Sequence, residues 1–148
     1  RYPLLPWEWA GATPDIVIPS AVASTEAITW SESPAYNRVF VAGQEQGRMG
    51  QITRAGTAGD IVAPMVTDPL ITHSDASRAR GASILAAGGR QATVALRLPV
   101  LPTTGIIDLG QLIEYQDGAT SRRGLVRAVS VEAGLPNVWQ TVETETHA

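Results

Sequence analysis

Apolar and polar side chains alternate with a period of two along much of this chain. In the stretch YNRVFVAG, from Tyr36 to Gly43, Val39 and Val41 alternate with Arg38 and Phe40, and Gly43 stops the run. A period of two places alternate side chains on opposite faces, so this segment predicts a strand. Gln51 to Arg54 predicts a short second strand, with Gly47 and Gly50 favouring a reversal between the two. GTAGD at 56–60 reads as loop, and Ile61 to Val66 as a third short strand broken by Pro64. Beyond Gly89 the pattern is more regular. Val94, Leu96 and Leu98 alternate with Thr93, Ala95 and Arg97. Three further strands are predicted at 112–116, 125–132 and 138–146, the last two joined by the hairpin loop Gly134-Leu135-Pro136-Asn137. Strand spacing of roughly ten to fifteen residues predicts a small antiparallel barrel or sandwich.

One helix interrupts the β pattern. Ser74 is the expected N-cap, Asp75 then sits in the first turn against the positive end of the dipole, and Gly88 and Gly89 end the helix. Ala76, Ala79, Ser83 and Ala86 form a narrow face of small residues, which predicts close packing of 74–88 against the barrel made by residues 92–146. Residues 1–35 read as an irregular, extended segment punctuated by Pro3, Pro6, Pro14, Pro19 and Pro34. Trp7, Trp9 and Trp30 lie in it. They either pin the segment onto a neighbouring molecule or close the end of their own barrel. The expected organisation is an extended segment at 1–35, a β subdomain at 36–72, and a helix plus closing β-barrel at 73–148. The fold class is mainly β with one helix, α+β, with no internal repeat.

The 148 residues are enough for one domain, or two small ones, with a real core. The charged fraction, 17%, is low against the roughly 25% of ordinary domains, a first hint of surface hidden against partners. All eleven basic residues are arginine, set against fourteen acids, and the net charge is −3. No basic stripe is present, so nucleic-acid binding lacks its electrostatic footprint. Cysteine is absent, which excludes disulfides and thiolate metal sites. No apolar run approaches the roughly 18 residues that a membrane helix needs, so membrane insertion is not expected. The first residue is Arg1, not Met, and the chain reads as a piece of something longer.

Catalytic motifs are sparse. The two histidines, His73 and His147, stand far apart in sequence and belong to no HExxH pattern. His73 with Asp75 fits a hydrogen bond at the helix start. There is no GxSxG nucleophile turn, and GTAGD lacks the Lys-Ser/Thr ending of a phosphate loop. Glu143 and Glu145 share one side of the last strand, not two sides of a cleft. No catalytic residue, cofactor or metal is expected.

Two stretches carry a further signal. The first comprises YNRVFVAGQEQG (36–47), ITRAGTAGD (52–60) and TDPLITHSDASRARG (67–81). The second runs from VALRLPVLP (94–102) through DLGQLIEYQD (108–117) to GLVRAVSVEAGLPNVWQTVETE (124–145). Together they resemble the baseplate hub proteins of contractile phage tails, including the Mu-like prophage type and relatives in type VI secretion spikes. That family has a helix, a strand, a turn of large apolar, glycine, polar and apolar residues, and two closing strands. Here the turn matches Leu109-Gly110-Gln111-Leu112-Ile113. The match is to the back half of a hub, without its N-terminal barrel.

The resemblance implies a homotrimer whose paired barrels form a ring between tail tube and spike. It implies a structural protein of the virion tail, assembled in the bacterial cytoplasm, with itself, spike and tube as partners and no enzyme activity. In such a ring Arg38 and Arg97, on the outward faces of their strands, are expected at subunit contacts. Asp60, Asp68, Glu114 and Asp117 are candidate carboxylate partners, and Trp7, Trp9 and Trp30 are candidate contact residues. The alternative is a tail-tip module that binds carbohydrate or a receptor by stacking on Trp7, Trp9, Trp30 or Trp139. A wall hydrolase comes third, for want of a catalytic constellation.

Overall fold

The computed structural model describes residues 5–44, 47–134 and 136–147. Pro3 of the N-terminal segment and Leu135 of the hairpin loop therefore lie outside the described residues. In chain order the strands are β1 (Ile16–Pro19), β2 (Thr25–Ser33), β3 (Arg38–Gly43), β4 (Met49–Thr53), β5 (Val66–Asp68), β6 (Gly89–Pro99), β7 (Leu112–Asp117), β8 (Thr120–Gly134) and β9 (Asn137–His147). The helix α1 is Ser74–Ala86. The molecule is mainly β with one helix, as the alternation requires. Its compact units do not follow chain order. One unit joins Arg1–Ser31 to Arg90–Ala148, and the other is the intervening Glu32–Gly89.

The larger unit is a six-stranded sheet in the order β1-β7-β8-β9-β6-β2. The ladders β7–β8, β8–β9 and β9–β6 are antiparallel, and β1 joins β7 in parallel. The expected closed barrel is not formed, because the strand order is open, with edges at β1 and β2. Those edges are consecutive in the chain, joined through a turn of 3-10 helix at Ser20–Val22. A side chain also reaches β2 from β7, the neighbour of β1: the Tyr115 hydroxyl donates to Glu26 Oε2 at 2.8 Å.

One face of this sheet is the core. Val94, Leu96 and Leu98 of β6 are buried together with Ile18, Ile113, Val126 and Val142, and Ile28 of β2 packs against them. Consecutive residues Leu125 and Val126 are both buried, on different clusters. A register shift between Val126 and Ala128 lies immediately after them and bends the strand. The segment read as irregular thus supplies both edge strands. Its proline pattern is still obeyed, since Pro19 is the last residue of an edge strand, where a missing N–H is tolerated.

The smaller unit is a three-stranded sheet, β4-β3-β5, with β3 antiparallel to β4 and parallel to β5. Val39 and Val41 form its core with Ala63, Ile71 and Leu85. The helix lies here, against β3 and β4, and this corrects the expectation that it covers residues 92–146. The buried face is also different: Ser77, Gly81 and Leu85 are buried, whereas Ala79 is exposed. Physically, a helix of alanine, serine, glycine and arginine has no strong apolar stripe to select a face. Closeness of approach selects it instead. A Cβ on Gly81 would stand 2.6 Å from Ile52 Cγ1, and one on Gly50 would stand 3.1 Å from Ser77 Cβ. The N-cap is His73, one residue before the expected Ser74, and its Nδ1 accepts from the Asp75 N–H at 3.3 Å. Gly89, at φ 89°, supplies the left-handed turn by which the chain leaves the helix for β6.

Candidate assembly interface

Among the described residues no three or more His, Cys, Asp and Glu side chains group as a metal site. His73 pairs with Asp75 at the exposed start of α1. His147 contacts Glu145 at 3.2 Å and meets the Trp9 ring edge-on, centroids 5.2 Å apart. Among the described residues no helix is long and apolar enough to cross a membrane. What the surface does offer is unpaired sheet edges, exposed apolar side chains and arginines.

The arginines divide by role. Arg97 is exposed on β6, ion-paired with Glu132 at 2.9 Å, and its guanidinium lies 5.1 Å from the centre of the Trp139 ring. Arg38 is half-buried, its guanidinium packed against the turn at Gly59, and its Nε is buried without a hydrogen bond. Three of the four expected carboxylate partners are engaged within the chain. Asp60 accepts from Asn37 Nδ2 at 2.8 Å, Asp68 lies 3.5 Å from Arg80, and Glu114 lies 2.7 Å from Arg123. The Asn37 hydrogen bond holds the Asp60 carboxyl below its usual range. Hydrogen bonds from Gln116 and then Arg123 do the same for Glu114.

Arg123 was not singled out by the sequence pattern, yet it organises one end of the larger unit. Its Nε donates to Glu114 Oε2, and its NH1 donates to the carbonyls of Trp9 (3.3 Å), Ala10 (2.7 Å) and Ala12 (3.1 Å). These carbonyls lie at the end of the 3-10 turn Pro6–Gly11, where the negative end of the turn attracts a cation. The turn thereby seats Trp9 on Leu112 and Leu125, and Trp9 is only 3% exposed. Of the three N-terminal tryptophans, then, Trp9 closes the end of its own sheet. Trp7 and Trp30 are exposed, and Arg90 stacks over Trp30 at 4.2 Å. A sequence signal for Arg123 would have been an arginine beside the buried Leu125, but nothing in the local pattern names carbonyls more than a hundred residues away.

Four exposed apolar residues of the larger unit, Ile106, Leu109, Val131 and Val138, lie on the 100–111 loop and the β8–β9 hairpin. Gln140, fully buried, pins that loop: its Oε1 accepts from the Ile107 N–H and its Nε2 donates to the Gly105 carbonyl, both at 3.0 Å. Val100 N–H adds a bond to the Val138 carbonyl at 2.9 Å. Ile107 enters the core, while its neighbour Ile106 is 56% exposed and Leu109 is 67% exposed. Val131 and Val138 continue the core face of the hairpin beyond Gln140 and are also exposed. Apolar side chains displayed together on a loop and a projecting hairpin are the composition of a contact surface.

No protein-family model matches this sequence, and no curated protein does. Solved structures do share its fold, among them two tail proteins. The tail protein of Neisseria meningitidis MC58 superposes with a TM-score of 0.57 at 9% identity, over 91% of this chain and 45% of its own. The 43 kDa tail protein of prophage MuSo2 from Shewanella oneidensis superposes with a TM-score of 0.55 at 10% identity, over 87% of this chain and 41% of its own. The chain spans less than half the length of either protein.

Proposed function

We propose that this chain is a structural component of a phage or prophage tail and that it forms part of the baseplate hub, in a homotrimeric ring between tail tube and spike. The observation that carries this reading is the shared fold with two tail proteins over nearly all of the chain. The surface supports it. Open sheet edges are an aggregation liability unless a neighbour covers them, and the apolar display at Ile106, Leu109, Val131 and Val138 suits a subunit contact. A cyclic assembly places both against neighbours. The protein works by binding other tail proteins, without catalysis and without a cofactor, as a constituent of the virion tail.

The carbohydrate-binding alternative keeps Trp7, which is exposed, but its other platforms are less open. Trp9 is buried, and Trp30 and Trp139 each have an arginine guanidinium beside the ring. Sedimentation equilibrium tests the oligomer. A mass three times that of the chain is expected, and a monomer at high micromolar concentration would overturn the ring.

A further inference from the structure

The small sheet leaves one edge open beside the helix, and the geometry of that edge is specific. Gly43 N–H donates to the Arg48 carbonyl at 2.8 Å, and Arg54 N–H donates to the Asn37 carbonyl at 2.9 Å. Both bonds fall on the antiparallel register that pairs Val39 with Ile52 and Val41 with Gly50. An antiparallel ladder turns alternate residues inward and outward. Gly50 and Ile52 therefore bond to β3, and the N–H and C=O groups of Met49, Gln51 and Thr53 point away from the sheet. β4 is the terminal strand of that sheet, and Met49 is 65% exposed.

A groove of about 530 Å³ runs along this edge, walled on the far side by Ser74, Ser77 and Arg78 of α1. Gly50 and Ile52, which face the helix, line it, and so do Met49, Gln51 and Thr53, which face away. A cleft lined by both sets of side chains follows the strand edge itself. Among the described residues its lining includes Arg48 and Arg78 and no carboxylate, and Arg78 also lies 3.4 Å from Asp75 of its own helix.

We propose that this groove accepts an extended strand by β-augmentation, and that its occupant is β2 of a second copy of this chain. Main-chain groups of Met49, Gln51 and Thr53 would continue the ladder, with the incoming side chains lying against α1. The occupant follows from matching properties on the page. β2 is itself a terminal strand, and eight of its nine residues are exposed. Its sequence TEAITWSES carries two glutamates and no basic residue; Glu26 is held by Tyr115 and Arg122 of its own chain, which leaves Glu32 opposite in sign to Arg48 of the groove. The two edges differ, so the contact is head-to-tail, the kind that closes into a ring when the rotation allows. This inference rests on the ring reading and says which surfaces meet.

The absence of native cysteine makes the test clean. Met49→Cys, carrying a benzophenone photo-crosslinker, would be irradiated, and the adduct mapped by mass spectrometry. Sedimentation of the same sample reports its oligomeric state. The expected result is an intermolecular adduct within Thr25–Ser33, at least five-fold above that from a control probe at Glu143. A second variant, Gln51→Pro, removes an outward N–H without touching the β3–β4 ladder, a position where an edge strand tolerates proline. It should fold and melt like the parent chain but lose the adduct and the oligomer. An oligomer whose adduct maps to another segment, or which survives Gln51→Pro, overturns this inference and leaves the ring standing. A monomer without adduct overturns both.

Discussion

Replacing Arg123 by alanine should release the Pro6–Gly11 turn from the sheet that it covers. The guanidinium gives one bond to Glu114 and shares NH1 among the carbonyls of Trp9, Ala10 and Ala12. Hydrogen bonds involving a charged group contribute about 1.5–3 kcal/mol each. Three carbonyls share the two hydrogens of one nitrogen, and the guanidinium is about one-third exposed, so the contributions do not add. A net loss of about 2–4 kcal/mol is expected, once part of the Trp9 packing on Leu112 and Leu125 loosens as well. For a chain of this size that corresponds to a fall of roughly 5–15 °C in melting temperature. Urea denaturation followed by circular dichroism measures the loss, and acrylamide quenching of tryptophan fluorescence reports Trp9 becoming accessible. Arg123→Lys retains the charge but cannot span carboxylate and carbonyls together, so it should recover less than half of the loss. An Arg123→Ala protein with unchanged midpoint and unchanged quenching would refute the clamp.

The remaining predictions concern packing and protonation. Gly81→Ala should destabilise the smaller unit by about 1–3 kcal/mol, because the new Cβ meets Ile52 at under 3 Å. Ala79→Leu, on the exposed side of the same helix, should change the midpoint little, and equal effects of the two would contradict the helix orientation. Gln140→Leu leaves the Ile107 N–H and Gly105 carbonyl unpaired, and should cost about 2–4 kcal/mol and raise amide exchange across 103–109. Tyr115 is pushed up to about 12 by burial and by its bond to Glu26. A raised folded-state pKa means that its contribution is complete below the unfolded value near 10 and is lost as pH climbs from there to about 12. Tyr115→Phe should flatten that alkaline loss of stability, and a variant that loses stability over the same interval as the parent chain would contradict the assignment.

The parts of the fold visible in the sequence are those with local causes. Val94, Leu96 and Leu98 alternate because one face of β6 is core and the other is not, and the final three strands followed from similar runs between glycine and asparagine turns. The ends of α1 were visible to within one or two residues, since caps are short-range chemistry, though the cap is His73 and not Ser74. The strands β1 and β2 were not. Their prolines and tryptophans resemble a loop, and β1 exists only because β7, about a hundred residues later, offers a parallel edge. The face of α1 was misread because small residues surround most of the helix, and which of them is buried depends on Gly50 and Ile52 across the contact. The candidate surface was partly legible. Arg97 does face outward, but its partner is Glu132 on the neighbouring hairpin. Arg38 packs on the glycine turn of its own unit. Trp9 turned inward because of Arg123, a contact that no local pattern encodes.

The most direct test of the central claim is assembly with the proteins that a hub must join. This chain would be co-expressed with the tail tube and spike proteins of its own genome, and the purified complexes would be imaged by electron microscopy. A threefold ring containing this chain, seated between tube and spike, is the predicted result. Tube and spike proteins that purify without this chain, or join each other directly in its absence, would contradict the hub account.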